Sequence, residues 1–65
     1  MPSSVILKYK YDETVKALEL TFVSGSVYVY KDIPFAVFDR FRQALSKGIF
    51  FNKYIKTKFV FERIK

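Results

Sequence analysis

The stretch that decides the fold spans residues 46–55 and reads Ser46-Lys47-Gly48-Ile49-Phe50-Phe51-Asn52-Lys53-Tyr54-Ile55. It predicts a helix over about 47–56, because the Ser46 hydroxyl can accept a hydrogen bond from the free N–H groups of the first turn. The predicted buried face consists of Phe50, Phe51, Tyr54 and Ile55. The opposite face carries Asn52, Lys53, Lys56 and the apolar Ile49, which we expect to point to solvent or to a partner.

A second amphipathic segment precedes this helix. Asp32 is predicted as its N-cap, and Pro34 suits the first helical turn because the N–H that proline lacks is not needed there. From Pro34 onward one helical stripe is apolar and consists of Val37, Phe38, Phe41, Ala44 and Leu45. This pattern predicts a helix that lies on a sheet.

The first half of the chain predicts that sheet. Apolar residues alternate with polar ones from Val5 to Tyr11 and again from Leu18 to Phe22, and a third strand is expected over about 26–31. Gly25 supplies a tight turn between the last two strands. We therefore expect one α+β domain over residues 1–65, a three-stranded antiparallel β-meander covered on one face by two helices. The alternation at Phe59 and Phe61 predicts a short final strand or extended C-terminal tail.

Several short motifs along the whole chain carry a family resemblance. They are Tyr11-Asp12, Leu18 and Phe22, Ser24-Gly25, Val27, Tyr28-Val29-Tyr30, Pro34, Ser46-Lys47-Gly48, Phe51-Asn52 and Ile55. In this order they resemble the KTSC domain. The resemblance implies a small module that occurs alone or appended to larger proteins, including the end of some lysyl-tRNA synthetases, and it suggests RNA binding.

Composition restricts the chemistry. The 65 residues contain no Cys and no His, which excludes a disulfide framework, the usual zinc sites and the common catalytic bases and nucleophile pairs. We expect no enzyme activity, no metal and no cofactor. No apolar run is long enough to cross a membrane, and Met1-Pro2-Ser3-Ser4 lacks the order of a signal peptide, so a cytoplasmic protein is predicted.

Aromatic residues are unusually frequent. Thirteen of the 65 residues are Phe or Tyr, and so small a domain can hardly bury them all. We therefore predict a homo-oligomer, with Ile49 and Phe35 in the interface.

The net charge of +6 lies in the second half of the chain. Residues 40–58 contain no acid and six cations, which are Arg40, Arg42, Lys47, Lys53, Lys56 and Lys58. This block either attracts phosphate or is an ordinary solvated surface.

The predicted ligand-binding residues form three groups. Ser46, Lys47 and Gly48 present a hydroxyl, an ammonium and free N–H groups to an anion, although the same residues suit a plain helix cap. Lys53, Lys56, Arg40 and Arg42 add charge, and Asn52 suits a base edge, a phosphate or a neighbouring loop. Tyr28, Tyr30, Phe50 and Tyr54 are candidates for stacking. Tyr28 and Tyr30 either stand on the open face of the sheet or, as we favour, lie in the core.

The working prediction is a non-catalytic binder of a phosphate-bearing ligand. RNA or other single-stranded nucleic acid is the first choice. The alternative is a small nucleotide signal, such as a cyclic dinucleotide, enclosed where copies of the chain meet, as in a viral sponge for a host signal. A protein-interaction adaptor that uses the sheet edge is the third possibility.

Overall fold

The computed structural model describes residues 5–65, in which an antiparallel sheet is covered on one face by two helices. The strands are β1 (Ile6–Asp12), β2 (Ala17–Phe22), β3 (Val27–Tyr30) and β4 (Phe61–Arg63), and their order in the sheet is β1-β2-β3-β4. The α+β class is confirmed. Residues 1–4, where the sequence predicts no signal peptide, lie outside the described part.

The sheet has four strands and not the three predicted for the meander, because the C-terminal segment, predicted as a short final strand or an extended tail, joins the sheet as β4. Tyr30 pairs with Phe61 and Tyr28 pairs with Arg63. The Lys31 N–H donates to the Val60 carbonyl over 2.8 Å, which extends the pairing. Without β4 the outer backbone groups of β3 would lack these partners, and the Phe61 ring would lose its contact with Tyr30. The fourth strand therefore completes the helix-covered face.

One glycine turn and one β-bulge set the local geometry of the strands. Gly25 has a φ of +95°, in the left-handed region that favours glycine, as the hairpin between β2 and β3 requires. The register between β1 and β2 shifts between Ile6 and Lys8, which makes Leu7 the extra residue of a β-bulge.

The first helix, α1, spans Phe35–Gln43 and begins later than its predicted cap implied. Its N-cap is Pro34, whose carbonyl accepts hydrogen bonds from Val37 and Phe38, and no side chain caps this end. Asp32 is exposed, with a φ of +58°. The prediction of Asp32 as the cap was therefore wrong, because the chain must first turn Ile33 into the core before the helix can begin.

The second helix begins as predicted but changes its geometry halfway. Its α-helical part, α2, spans Lys47–Phe50, and the Ser46 hydroxyl accepts a 3.2 Å hydrogen bond from the Ile49 N–H. A π-helical segment, Phe51–Ile55, continues it directly. The Lys56 N–H donates to the Phe51 carbonyl over 2.8 Å, one residue further back than in an α-helix.

The core lies between the sheet and the two helices. Its buried residues are Leu18, Leu20, Tyr30, Ile33, Phe41, Phe51 and Ile55. Two predicted core positions were wrong. Leu45 is fully exposed because α1 ends at Gln43 and Ala44 is extended. Tyr54 is 38% exposed because Phe51 and Ile55 are the residues that the π-helical segment turns inward.

Candidate functional site

Five aromatic side chains form a closed ring of contacts at one end of the domain. Each packs against two others, with ring centroids 5.2 to 5.5 Å apart. Most of these pairs meet edge to face or tilted, the arrangements that the charge distribution of aromatic rings favours. In order around the ring they are Phe22, Tyr28, Phe61, Tyr30 and Phe51. We call this set the aromatic ring.

The aromatic ring lines a groove of about 620 Å³ between the β2–β3 hairpin, β4 and the second helix. Polar side chains border it on both sides, Ser24 and Ser26 from the hairpin and Asn52, Lys56 and Thr57 from the second helix and the turn after it. Among the described residues that line the groove there is no Asp or Glu. The groove therefore combines apolar walls, hydroxyl and amide groups, and a positive charge.

The electrostatics of the groove favour an anionic or neutral ligand. Lys56 makes no salt bridge within residues 5–65. The Arg63 guanidinium lies 5.8 Å from the centre of the Tyr28 ring and donates to the Ser26 hydroxyl over 3.3 Å. Burial, and to a lesser degree the neighbouring Tyr28, raises the pKa of the Tyr30 phenol. A phenol is protonated at neutral pH even without such a shift, so the Tyr30 hydroxyl adds no negative charge to the groove.

The structure brings four of the predicted binding residues to this groove. They are Tyr28, Tyr30, Asn52 and Lys56. Both tyrosines lie on the helix-covered face, where Tyr30 is only 3% exposed and Tyr28 is partly buried. The preference for a core position was therefore right, and the same side chains also form the groove walls.

The Ser46–Gly48 turn is not among the residues that line the groove. Ser46 caps the helix, and Gly48 is buried. Lys47 extends over Tyr9, with Nζ 5.9 Å from the ring centre. This cation–π contact offsets the unfavourable position of a lysine at a helix N-terminus.

A second set of aromatic residues forms an open chain on the other side of the core. Consecutive members contact one another in the order Phe35, Tyr11, Phe38, Tyr9, Phe41, Phe50 and Tyr54. At its end Tyr54 packs on Phe50 with ring centroids 4.7 Å apart. The Arg40 guanidinium and Lys53 Nζ lie 5.9 and 5.4 Å from the centre of the Tyr54 ring. We call Arg40, Phe50, Lys53 and Tyr54 the Tyr54 platform.

The remaining predicted residues belong neither to the lining of the groove nor to the Tyr54 platform. Arg42 pairs with Asp39 on α1 over 2.6 Å. Ile49 and Phe35 are 57% and 48% exposed, one on the second helix and the other at the start of α1. Both side chains are thus accessible at the positions predicted for an oligomer interface.

Residues 5–65 contain neither a membrane-spanning helix nor a metal-binding cluster of the common ligand types. No helix there is long and apolar enough to cross a membrane. In the same residues no three His, Cys, Asp or Glu side chains come together in a group that could hold a metal ion.

The fold and the groove define a small α+β module, and comparison with known proteins assigns this module to a family. Residues 2–59 match the KTSC domain. The chain belongs to the KTSC domain family, as the motifs of the sequence indicated. The structure is also similar to the crystal structure of a KTSC domain protein from Yersinia pestis, with a TM-score of 0.92 and 37% identity over all of this chain and 92% of that one.

Sequence relatives include both long and short proteins. The chain is 43% identical over 61 residues to a lysine–tRNA ligase of Trichormus variabilis and 44% identical over 61 residues to one of Nostoc punctiforme. These matches span 94% of this chain but only 11% of each ligase. A protein of Tsukamurella paurometabola is 39% identical over 57 residues, which is 85% of its length.

Proposed function

We propose that this domain is a non-catalytic module that binds single-stranded nucleic acid and holds one nucleotide in the groove. The observation that carries the proposal is the aromatic ring bordered by Lys56 and Asn52, without an acid among the described lining residues. Proteins that bind single strands combine aromatic stacking surfaces with cations that follow the backbone. The groove joins these two elements.

Each part of the groove has a role in this proposal. Phe61 is 48% exposed and offers a ring to a base. Lys56 and Arg63 contribute positive charge for the phosphate. Asn52 carries an amide that can donate to and accept from a base edge. RNA is the preferred ligand because tRNA is the substrate of the ligases that contain a similar segment.

Salt dependence of binding tests the proposal. A fluorescently labelled dodecauridylate is titrated with the protein at several salt concentrations, and its anisotropy is recorded. Each phosphate contact on a single strand steepens the salt dependence by about 0.7 log unit per log unit of salt. Lys56→Gln should lower the affinity and reduce the slope by about this amount. Lys16→Gln, in the turn before β2, is the control and should change neither. No binding at low salt, or equal effects of both variants, contradicts the proposal.

A small nucleotide signal is the second candidate, and the size of the groove favours it. Sites for small ligands measure about 300–1,000 Å³, and the groove of about 620 Å³ falls in this range within one copy of the chain. An interface between copies of the chain is therefore not needed to create such a site. A discrete nucleotide in heat-released extracts, together with a shallow salt slope, would favour this candidate over RNA.

A further inference from the structure

The Tyr54 platform has the composition of a second stacking site. Its aromatic side chain is partly exposed, and two cations lie over or beside the ring. The only salt bridges in residues 5–65 are Lys31–Glu62 and Arg42–Asp39, so that neither Arg40 nor Lys53 has an acidic partner there. Each cation therefore lacks a neutralising charge in this part of the chain, and a phosphate beside Tyr54 would supply one.

The platform and the groove use the same helix. Asn52 and Lys56 border the groove, whereas Lys53 and Tyr54, which lie between them in sequence, belong to the platform. Asn52 and Lys56, which are four residues apart, share the face that borders the groove, and neither Lys53 nor Tyr54 lines it. The second helix therefore separates two sites that each contain aromatic rings and a lysine, and no acid occurs between residues 40 and 58.

We propose that the Tyr54 platform binds a second nucleotide of the same single strand whose first nucleotide occupies the groove. The strand then crosses the second helix, with a base on Tyr54 and its phosphates near Lys53 and Arg40. This inference rests on the proposed function, because it extends the nucleic-acid footprint from the groove. It predicts that a strand must be longer than one nucleotide for full affinity.

The experiment compares the affinities of four variants for labelled dodecauridylate. Tyr54→Leu removes the exposed ring and should weaken binding by about 5- to 150-fold, the range of stacking contributions. Tyr54→Phe keeps the ring and should retain the affinity. Phe61→Leu alters the groove, and Phe35→Leu is the control, because Phe35 is an exposed aromatic residue with no cation over its ring in residues 5–65. Thermal melts show that each variant is folded.

The outcomes separate the two proposals. Losses with both Tyr54→Leu and Phe61→Leu, but not with Phe35→Leu, support the second site. If Phe61→Leu weakens binding and Tyr54→Leu has no larger effect than Phe35→Leu, the second site is refuted, whereas nucleotide binding in the groove is supported. If the wild-type protein does not bind the oligonucleotide at all, the proposed function fails and the second site fails with it.

Discussion

Replacement of Phe61 by leucine offers the sharpest test of the groove, because the chain contains a matched control. Phe61 and Phe35 are both 48% exposed, and each ring contacts two other aromatic rings. Only Phe61 lines the groove. Phe61→Leu and Phe35→Leu should therefore have similar effects on stability and different effects on binding.

The expected magnitudes follow from these contacts. Each aromatic pair contributes about 0.5–1.5 kcal/mol beyond its buried area, so the loss of two pairs in either variant should cost about 1–3 kcal/mol. A domain of this length has a total stability of about 3–10 kcal/mol, and both variants should remain mostly folded. Loss of base stacking at Phe61 should add about 1–3 kcal/mol to the free energy of binding, which weakens binding about 5- to 150-fold.

Two measurements decide the outcome. Thermal unfolding followed by circular dichroism gives the stability, where about 1 kcal/mol corresponds to a shift of about 4–8 °C in Tm for so small a domain. Fluorescence anisotropy with labelled dodecauridylate gives the affinity. If the two variants bind equally well, or if Phe35→Leu loses more affinity than Phe61→Leu, the groove does not hold a base.

Three further predictions concern assembly, pH and the helix cap. Light scattering should show a dimer or larger species at micromolar concentration. Ile49→Asp should weaken this assembly by placing a charge in an apolar contact. A monomer at about 100 µM would exclude self-association with a free energy of even about 8 kcal/mol. The pKa of Tyr30 is higher in the folded protein than in the unfolded chain, where it is about 10. The stability that neutral Tyr30 contributes is therefore complete below about pH 10, and it is lost as the pH rises through the pKa of the folded state. Urea titrations should thus show a decline above pH 10 that Tyr30→Phe reduces, and an equal decline in both proteins excludes Tyr30 as its source. Ser46→Ala should lower the free energy of unfolding by about 1 kcal/mol, and an unchanged urea midpoint would mean that the cap hydrogen bond contributes nothing.

Most of the secondary structure could be predicted because it follows from residue periodicity. Alternation in β1 and β2 and the capped apolar stripe of the second helix are local signals. The β4 strand is only three residues long, and its pairing with β3 depends on a contact between distant parts of the chain. No local sequence pattern predicts such a contact. The same limit explains why α1 was predicted to continue to Leu45, where an apolar residue fits the helical spacing but the backbone has already become extended.

The candidate site was predicted only in part, for a related reason. Tyr28, Tyr30, Asn52 and Lys56 were selected for their chemistry, and the fold brings them together. The lining residues Phe22, Ser24, Ser26, Phe51, Thr57 and Phe61, and the neighbouring Arg63, were missed as binding residues. Phe61 and Arg63 lie on the strand whose pairing the sequence did not reveal. Phe22 was interpreted only as a residue of the second strand, and Phe51 only as part of the buried helix face. The alternation of Phe59 and Phe61 was the one sequence signal that indicated a strand on the β4 side of the groove.

The π-helical segment makes the groove dependent on how the second helix is wound as well as on the identity of its residues. If Phe51–Ile55 wound as an ordinary α-helix with the same number of residues, every later position would turn by about 100° around the helix axis, because the i→i+5 turn holds one residue more than the i→i+4 turn. Lys56 and Thr57 would then leave the groove wall, although each side chain was still present. In an evolutionary comparison, a relative with one residue fewer at this point would therefore be expected to have an ordinary α-helix there and to keep both the fold and the groove wall.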